Sequence, residues 1–279
     1  MGSPFKSKQK GKEMISIYTS LYNLSNNLFN WQEALENFSS LADEVSIGTS
    51  AWCQDDTVEI LKEYKKTNPK IKVVVTDFDF DNYAFDGLIK NAALGECTEP
   101  FCMLLDADER VRTKDREKFH KLCGILKESP SDAIFIPVID LFNTERQYKS
   151  VGQKWYLSKN NPNIGRGIVN FAKLDNGKIN HTASDTCELI YRHDNSLVKS
   201  EYLVHPGFIE DVKIEMIKRL NCPVIYHLGW LDKQKRIGQS SFWESVWSNR
   251  AGFKVDVIKT EEELNKIPYW EHGLPLWYD

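Results

Sequence analysis

The sequence predicts an α/β protein: a mostly parallel central sheet flanked by helices, ending in an irregular C-terminal extension. Three observations carry this. Short apolar, β-branched runs alternate with segments of helical period through the first half, the pattern of consecutive βαβ units. The fourth such run, residues 101–105, ends in two carboxylates one residue apart, Asp106 and Asp108. The chain has 279 residues, 41% hydrophobic and 12% aromatic, so it can bury a large core.

Each element has its reason. Residues 15–19 read as the first strand. Trp31, Ala34, Leu35, Phe38 and Leu41 recur at helical spacing. Residues 45–49 form the second strand. Residues 57–66 form a charged amphipathic helix, with Asp55 or Asp56 placed to cap it. Val73, Val74 and Val75 mark a third strand over 72–76, followed by a helix over 86–97 and the fourth strand. A helix over 113–127 stops at Ser129-Pro130, and 133–141 is a longer apolar strand. Beyond it, 147–192 reads as irregular, 211–220 as helical, and 223–227 as an apolar run ending in His227. Trp230, Trp243, Trp247, Trp270 and Trp277 crowd the C-terminal region and read as core or lid packing. No linker rich in Gly, Pro or Ser divides the chain, so residues 14–279 are expected to be one domain behind a disordered tail, 1–13.

A net charge of −4 excludes a nucleic-acid binder that works by a strong positive field. Cys53, Cys97, Cys102, Cys123, Cys187 and Cys222 show neither a C-x-x-C pair nor zinc spacing, which fits a reducing cytoplasm. No apolar run reaches the ~18 residues of a membrane span, and no signal peptide is visible. Lys6, Lys8, Lys10 and Lys12 allow at most peripheral contact with anionic lipid.

Carboxylates are rarely buried without a partner. Asp106 and Asp108, at the lip of an apolar strand, invite a divalent cation such as Mn²⁺ or Mg²⁺, shared with substrate phosphates. Such ligands bind at the carboxyl ends of strands. A rival, Asp77-Phe-Asp79-Phe-Asp81, resembles the start of a calcium loop, but Asn82 and Leu88 stand where that loop needs Gly and Glu.

At this point the residues resemble a family, the GT-A-fold glycosyltransferases of the family 2 type, such as those building lipopolysaccharide cores and cell-surface glycans. Ile15-Ser-Ile-Tyr-Thr-Ser-Leu-Tyr-Asn23 is similar to that family's opening strand and its Pro-Thr-Tyr-Asn ending. Asp55-Asp56-Thr57 is what survives of the turn after its second strand. Lys90-Asn91 resembles its Arg-Asn pair, and Asn91 stands fifteen positions before Asp106, the family's usual step. Leu105-Asp-Ala-Asp-Glu109 then matches the metal motif. The resemblance covers about residues 14–112 and resumes more loosely over 204–229. It departs where the family carries an Asp after strand two; Thr49 and Ser50 occupy that region and are expected to hydrogen-bond base or ribose.

The resemblance implies a GT-A, Rossmann-like fold, with 14–112 as the nucleotide-sugar half and 113–279 as the acceptor half and extension. It implies inverting transfer of a sugar from a UDP-, GDP- or dTDP-linked donor to a glycan, lipid-linked or protein acceptor. Ser20, Tyr22, Asn23, Thr49, Ser50, Lys90, Asn91, Asp106 and Ala107 would bind the donor. Asp106, Asp108 and His227 would hold the metal; His227 lies in Ile225-Tyr-His-Leu-Gly229, which resembles a late His-x-Gly element. Lys233, Lys235 and Arg236 would close over the phosphates. Asp211 and Glu210, ahead of a helix, are the expected base, with His205 next and Asp185 after it. Two other readings are weighed. A sugar-nucleotide pyrophosphorylase would need a Gly-rich basic loop after the first strand, which residues 20–26 lack. A catalytically silent protein would keep only the sugar-nucleotide pocket.

Overall fold

The computed structural model describes residues 13–26, 30–81, 85–166, 190–192, 199–232, 236–237 and 258–279. Residues 1–12, Asp185, Lys233, Lys235, Trp243 and Trp247 lie outside them. The first half alternates strand and helix: β1 (Ile15–Ser20), α1 (Trp31–Leu41), β2 (Glu44–Ser50), α2 (Thr57–Thr67), β3 (Ile71–Thr76), α3 (Phe85–Gly95) and β4 (Phe101–Leu104). The strands run parallel in the order β3-β2-β1-β4, with Ile17 opposite both Val45 and Met103. β1, β2 and β4 are buried almost throughout, whereas β3, at the edge, is only partly covered. On α1, Ala34, Leu35, Phe38 and Leu41 turn to the core, and the Asn30 side chain caps the helix by accepting from Glu33 N at 3.2 Å. Asp55, not Asp56, serves α2, its Oδ1 accepting from Thr57 N at 3.1 Å. Helix α3 lies so close over β2 that a Cβ on Gly48 would stand 2.4 Å from the Ile89 carbonyl oxygen; only glycine fits there.

The second half departs from a purely parallel sheet. After β5 (Glu109–Val111) and α4 (Arg116–Glu128), β6 (Ala133–Phe142) and β7 (Thr144–Lys159) form a long hairpin. β7 inserts antiparallel beside β4, so the region expected to be irregular from residue 147 begins as an extended strand. β8 (Ile164–Arg166) and β9 (Ile190–Arg192) form a separate pair. β10 (Ser200–Tyr202) and then β11 (Ile225–Trp230) line the other edge of β6, both parallel to it, with α5 (Glu210–Leu220) between them in the chain. β5 closes the sheet antiparallel to β11, and β12 (Trp270–Glu271) pairs with β7. Among the described residues no helix is long and apolar enough to cross a membrane.

Alternation along the strands divides this half into two faces. Ile139, Leu141, Tyr148, Val151 and Tyr226 pack with Ile214 and Ile217 of α5 and with Leu274, Leu276 and Trp277 near the C-terminus. Asp140, Ser150 and His227 alternate to the opposite face, toward the end of β4.

Candidate active site

Two polar groups meet at the turn after β4. The first is centred on Asp106. Its Oδ1 lies 2.8 Å from Lys90 Nζ, which also reaches Asp86 Oδ2 at 2.9 Å on the same helix. Ser20, at the end of β1, donates its hydroxyl to Asp86 Oδ1 at 2.7 Å. On the other side, Lys154 Nζ of β7 stands 4.0 Å from Asp106 Oδ2 and 3.3 Å from Glu109 Oε1. Glu109 Oε2 accepts from Asp106 N at 2.9 Å. Burial pushes Asp106 up, but Lys90 and then Lys154 outweigh it and hold the carboxyl at about 2. Glu109 moves the other way: burial raises it, Lys154 opposes, and the charges of Asp106 and Asp108 add to the rise.

The second group is centred on His227. Its Nε2 lies 3.1 Å from Asp108 Oδ2 and its Nδ1 2.7 Å from Asp140 Oδ1. A carboxylate at each ring nitrogen favours the doubly protonated imidazole. Burial alone would lower its pKa, yet Asp108 and Asp140 carry it well above the usual value. Against the same burial, His227 draws Asp108 and Asp140 below the ordinary carboxylate range. Ser150 donates to Asp140 Oδ2, and Lys149 Nζ lies 3.7 Å from it. Leu228 N donates to the Asp108 carbonyl at 2.7 Å, so β11 and the turn are tied by backbone as well.

Gly229 keeps the ground beside this pair bare. A Cβ there would stand 2.8 Å from His227 Nε2 and 3.2 Å from Asp108 Oδ2. Among the described residues no three His, Cys, Asp or Glu side chains form a ready-made metal cage. Asp108 and His227 are the pair that could hold a cation once the imidazole gives up its Nε2 proton, with Asp140 behind the ring to fix it. Asp106 instead spends its oxygens on two lysines.

The other expected residues divide. Ser20 and Lys90 join the Asp106 group directly, and Asn91 follows Lys90 on α3. Ala107 is in the turn itself, its carbonyl accepting from Arg110 Nη1 at 2.9 Å. Buried Arg110 braces that turn, donating also to the carbonyls of Glu109 and Asn30. Tyr22 packs on Phe80 and Phe85, with ring centroids 5.5 and 5.3 Å away. Asn23 takes a left-handed backbone, φ 48°, and accepts from Gln54 N at 2.9 Å. Thr49 and Ser50 do not present hydroxyls to a ligand. Both are fully buried; Ser50 donates to Phe78 O at 2.6 Å, and Thr49 Oγ1 lies 3.6 Å from Cys53 Sγ.

Glu210, Asp211 and His205 are also placed differently from expectation. Glu210 accepts from Val151 N and lies 3.0 Å from Lys213 Nζ, while Asp211 accepts from the Tyr148 hydroxyl at 3.3 Å. These anchors are on the α5 face, opposite the face of Asp140 and His227. His205 is exposed in the turn before α5, its Nδ1 accepting from Gly207 N at 3.1 Å. The structure does not bring this trio to the two polar groups, because α5 packs by its apolar residues on the far side of the sheet.

Asp86, Asp140, Lys149 and Lys154 are the residues that sequence reasoning missed. Asp140 leaves a trace, as the one charged residue within β6, and Asp86 stands one helical turn from Lys90. The lysines of β7 leave none.

No protein-family model matches the chain, and no curated protein matches it. Solved structures show distant likenesses. S. aureus TarS 1–349 is 16% identical, over 91% of this chain and 69% of that one, with a TM-score of 0.39. The same protein in complex with UDP-GlcNAc is 13% identical, over 84% and 73%, with a TM-score of 0.38. The mannosyltransferase PcManGT from Pyrobaculum calidifontis, in complex with GDP-Man and Mn²⁺, is 14% identical, over 92% and 69%, with a TM-score of 0.42. Likenesses this distant carry no functional argument, and the chain's own geometry stands in their place.

Proposed function

We propose that this chain is a metal-dependent glycosyltransferase of the GT-A, family 2 type. It would move a sugar from a UDP-, GDP- or dTDP-linked donor to a hydroxyl of a glycan, lipid-linked or protein acceptor. The observation that carries the reading is the split environment of Asp106 and Asp108 at the carboxyl end of β4. One carboxylate is fixed by lysines, and the other faces a histidine backed by a third carboxylate.

Mn²⁺ or Mg²⁺ held by Asp108 and His227 would stabilise the charge that grows on a departing diphosphate. To act as a ligand, His227 releases its Nε2 proton while Asp140 keeps the Nδ1 proton, fixing the tautomer. Lys90 and Lys154 hold Asp106 ionised, with Asp86 and Ser20 fixing Lys90 in place, so the Asp106 oxygens can also accept from ribose or sugar hydroxyls. Tyr22 and Asn23 follow the end of β1 and Ala107 the end of β4, and with Asn91 of α3 they would complete the donor side.

The test is release of nucleoside diphosphate from a panel of UDP-, GDP- and dTDP-sugars, with Mn²⁺ and with EDTA. Metal-dependent release across a panel of acceptors is the expected result. Donor binding that never leads to turnover would replace this reading with a silent pocket.

A further inference from the structure

Beyond Asp140, β6 ends in an aromatic stack. Phe142 stands two residues on, on the same face and roughly 7 Å farther along the strand. Its buried ring meets Trp230, with centroids 6.4 Å apart, and Tyr269, at 5.6 Å and an interplanar angle of 29°. Trp230 is buried too, and Lys149 Nζ covers its ring at 3.8 Å. Tyr269 is the outer member of the stack and is 47% exposed.

The chain fixes Tyr269 from both sides. Before it, Thr260 closes a capping box on the helical turn Glu261–Leu264, and Leu264 is buried beside Phe142 and Trp230. Ile267 N donates to Leu264 O at 3.1 Å, and Pro268 locks one more dihedral. After it, β12 pairs with β7, Trp270 opposite Tyr148 and Glu271 opposite Gln147. The Trp270 ring lies 5.8 Å from that of Tyr148 on the α5 face, so Tyr269 and Glu271 alternate to the face of Asp140 and His227. Gln147 shares that face because Lys149 is the extra residue of a bulge: Ser150 is opposite Asp140, and Tyr148 is opposite Leu141.

An aromatic face with an amide and a carboxylate at its rim suits a sugar ring. The C–H face of a pyranose is weakly positive and lies against the negative π-face of an aromatic. Its hydroxyls both donate and accept, which matches the amide and the carboxylate. A lipid chain would need an apolar groove, whereas half-buried Gln147 and exposed Glu271 are polar, and Glu271 would repel a phosphate. We propose that Tyr269, braced by Phe142 and rimmed by Gln147 and Glu271, is a stacking platform for a pyranose of the acceptor, so that the acceptor is a glycan. The proposal rests on the transferase reading above and narrows its three acceptor classes to one.

The experiment is titration calorimetry on the full chain with cellobiose, maltose, lactose, chitobiose and mannobiose, alongside metal-dependent release of nucleoside diphosphate. The variants are Tyr269→Phe, Tyr269→Leu and Gln147→Ala. At least one disaccharide should bind wild type and Tyr269→Phe within about twofold of each other, and Tyr269→Leu roughly tenfold more weakly. Gln147→Ala should weaken the same disaccharide roughly threefold. Tyr269→Leu keeps an apolar cover over Phe142, so a merely structural tyrosine would leave disaccharide affinity intact in that variant. Circular-dichroism melting identifies an unfolded variant, and Gln147→Ala then decides. Wild type that binds none of these disaccharides overturns the platform, as does unchanged affinity in folded Tyr269→Leu or, where that variant unfolds, in Gln147→Ala. Disaccharide binding that needs Tyr269, without metal-dependent release of nucleoside diphosphate, keeps the platform and removes the transferase reading. Release of nucleoside diphosphate with disaccharide affinity untouched by Tyr269→Leu does the opposite.

Discussion

Asp106 takes its nearest partner, Lys90, from the parallel half of the chain, whereas Asp108 takes His227, 119 residues away. The first half places its polar side chains by short βα units: Ser20 ends β1, and Asp86 and Lys90 share one turn of α3. The second half places Asp140 and Lys149 on one hairpin and brings His227 to it on a strand 87 residues beyond Asp140. The difference teaches that two carboxylates one residue apart need not share a task. One is a fixed, neutralised anchor, and the other is the partner of an ionisable ring.

The sharpest way to break this comparison is Asp108→Asn. Metal-dependent turnover should fall on the order of a thousandfold, the several kcal/mol expected of a Lewis acid, while the fold survives. Nucleoside diphosphate release against Mn²⁺ concentration measures it; an equal fall without change in metal dependence would dissolve the division between the two carboxylates.

Lys90→Met should act on the fold instead. It leaves Asp86 and Asp106 facing each other without the lysine between them, at a cost of about 3–5 kcal/mol in denaturant unfolding.

Asp140→Asn should keep stability closer to wild type yet weaken Mn²⁺ affinity about 10–100-fold, the usual effect of removing a carboxylate behind a ligating histidine.

A smaller effect is the acid limb of stability. Asp106 is held at about 2 against an ordinary 3.8, so its contribution is present above 3.8 and is lost as pH falls toward 2. Asp106→Asn should flatten unfolding free energy over that window.

The least effect should come from Glu210→Gln and Asp211→Asn, whose turnover should stay within about twofold because their bonds are on the α5 face. A hundredfold loss in either would return the acceptor base to α5.

The parallel half was legible because local pattern and local geometry agree there. The apolar strands, the helical face of α1 and the Asp-Ala-Asp turn follow from neighbours in sequence. β7 was hidden because its face changes at a bulge and its polar residues interrupt any simple alternation. Thr49 and Ser50 were misread because a hydroxyl type does not reveal whether backbone carbonyls already engage it. That Glu210 and Asp211 stand apart from the two polar groups was not legible, because an acidic helix start looks the same on either side of a sheet. Asp140 was readable in principle, as a charge within an apolar strand.

β7 also acts as a ruler. It carries Ser150 and Lys149 to the histidine group and Lys154 to the Asp106–Glu109 group. Four residues at about 3.3 Å each set roughly 13 Å of strand between positions 150 and 154. One residue inserted between them would turn one of these side chains to the opposite face. The distance between the two halves of the site is therefore written into one strand, and the chain can alter its loops freely but not the count of residues in that interval.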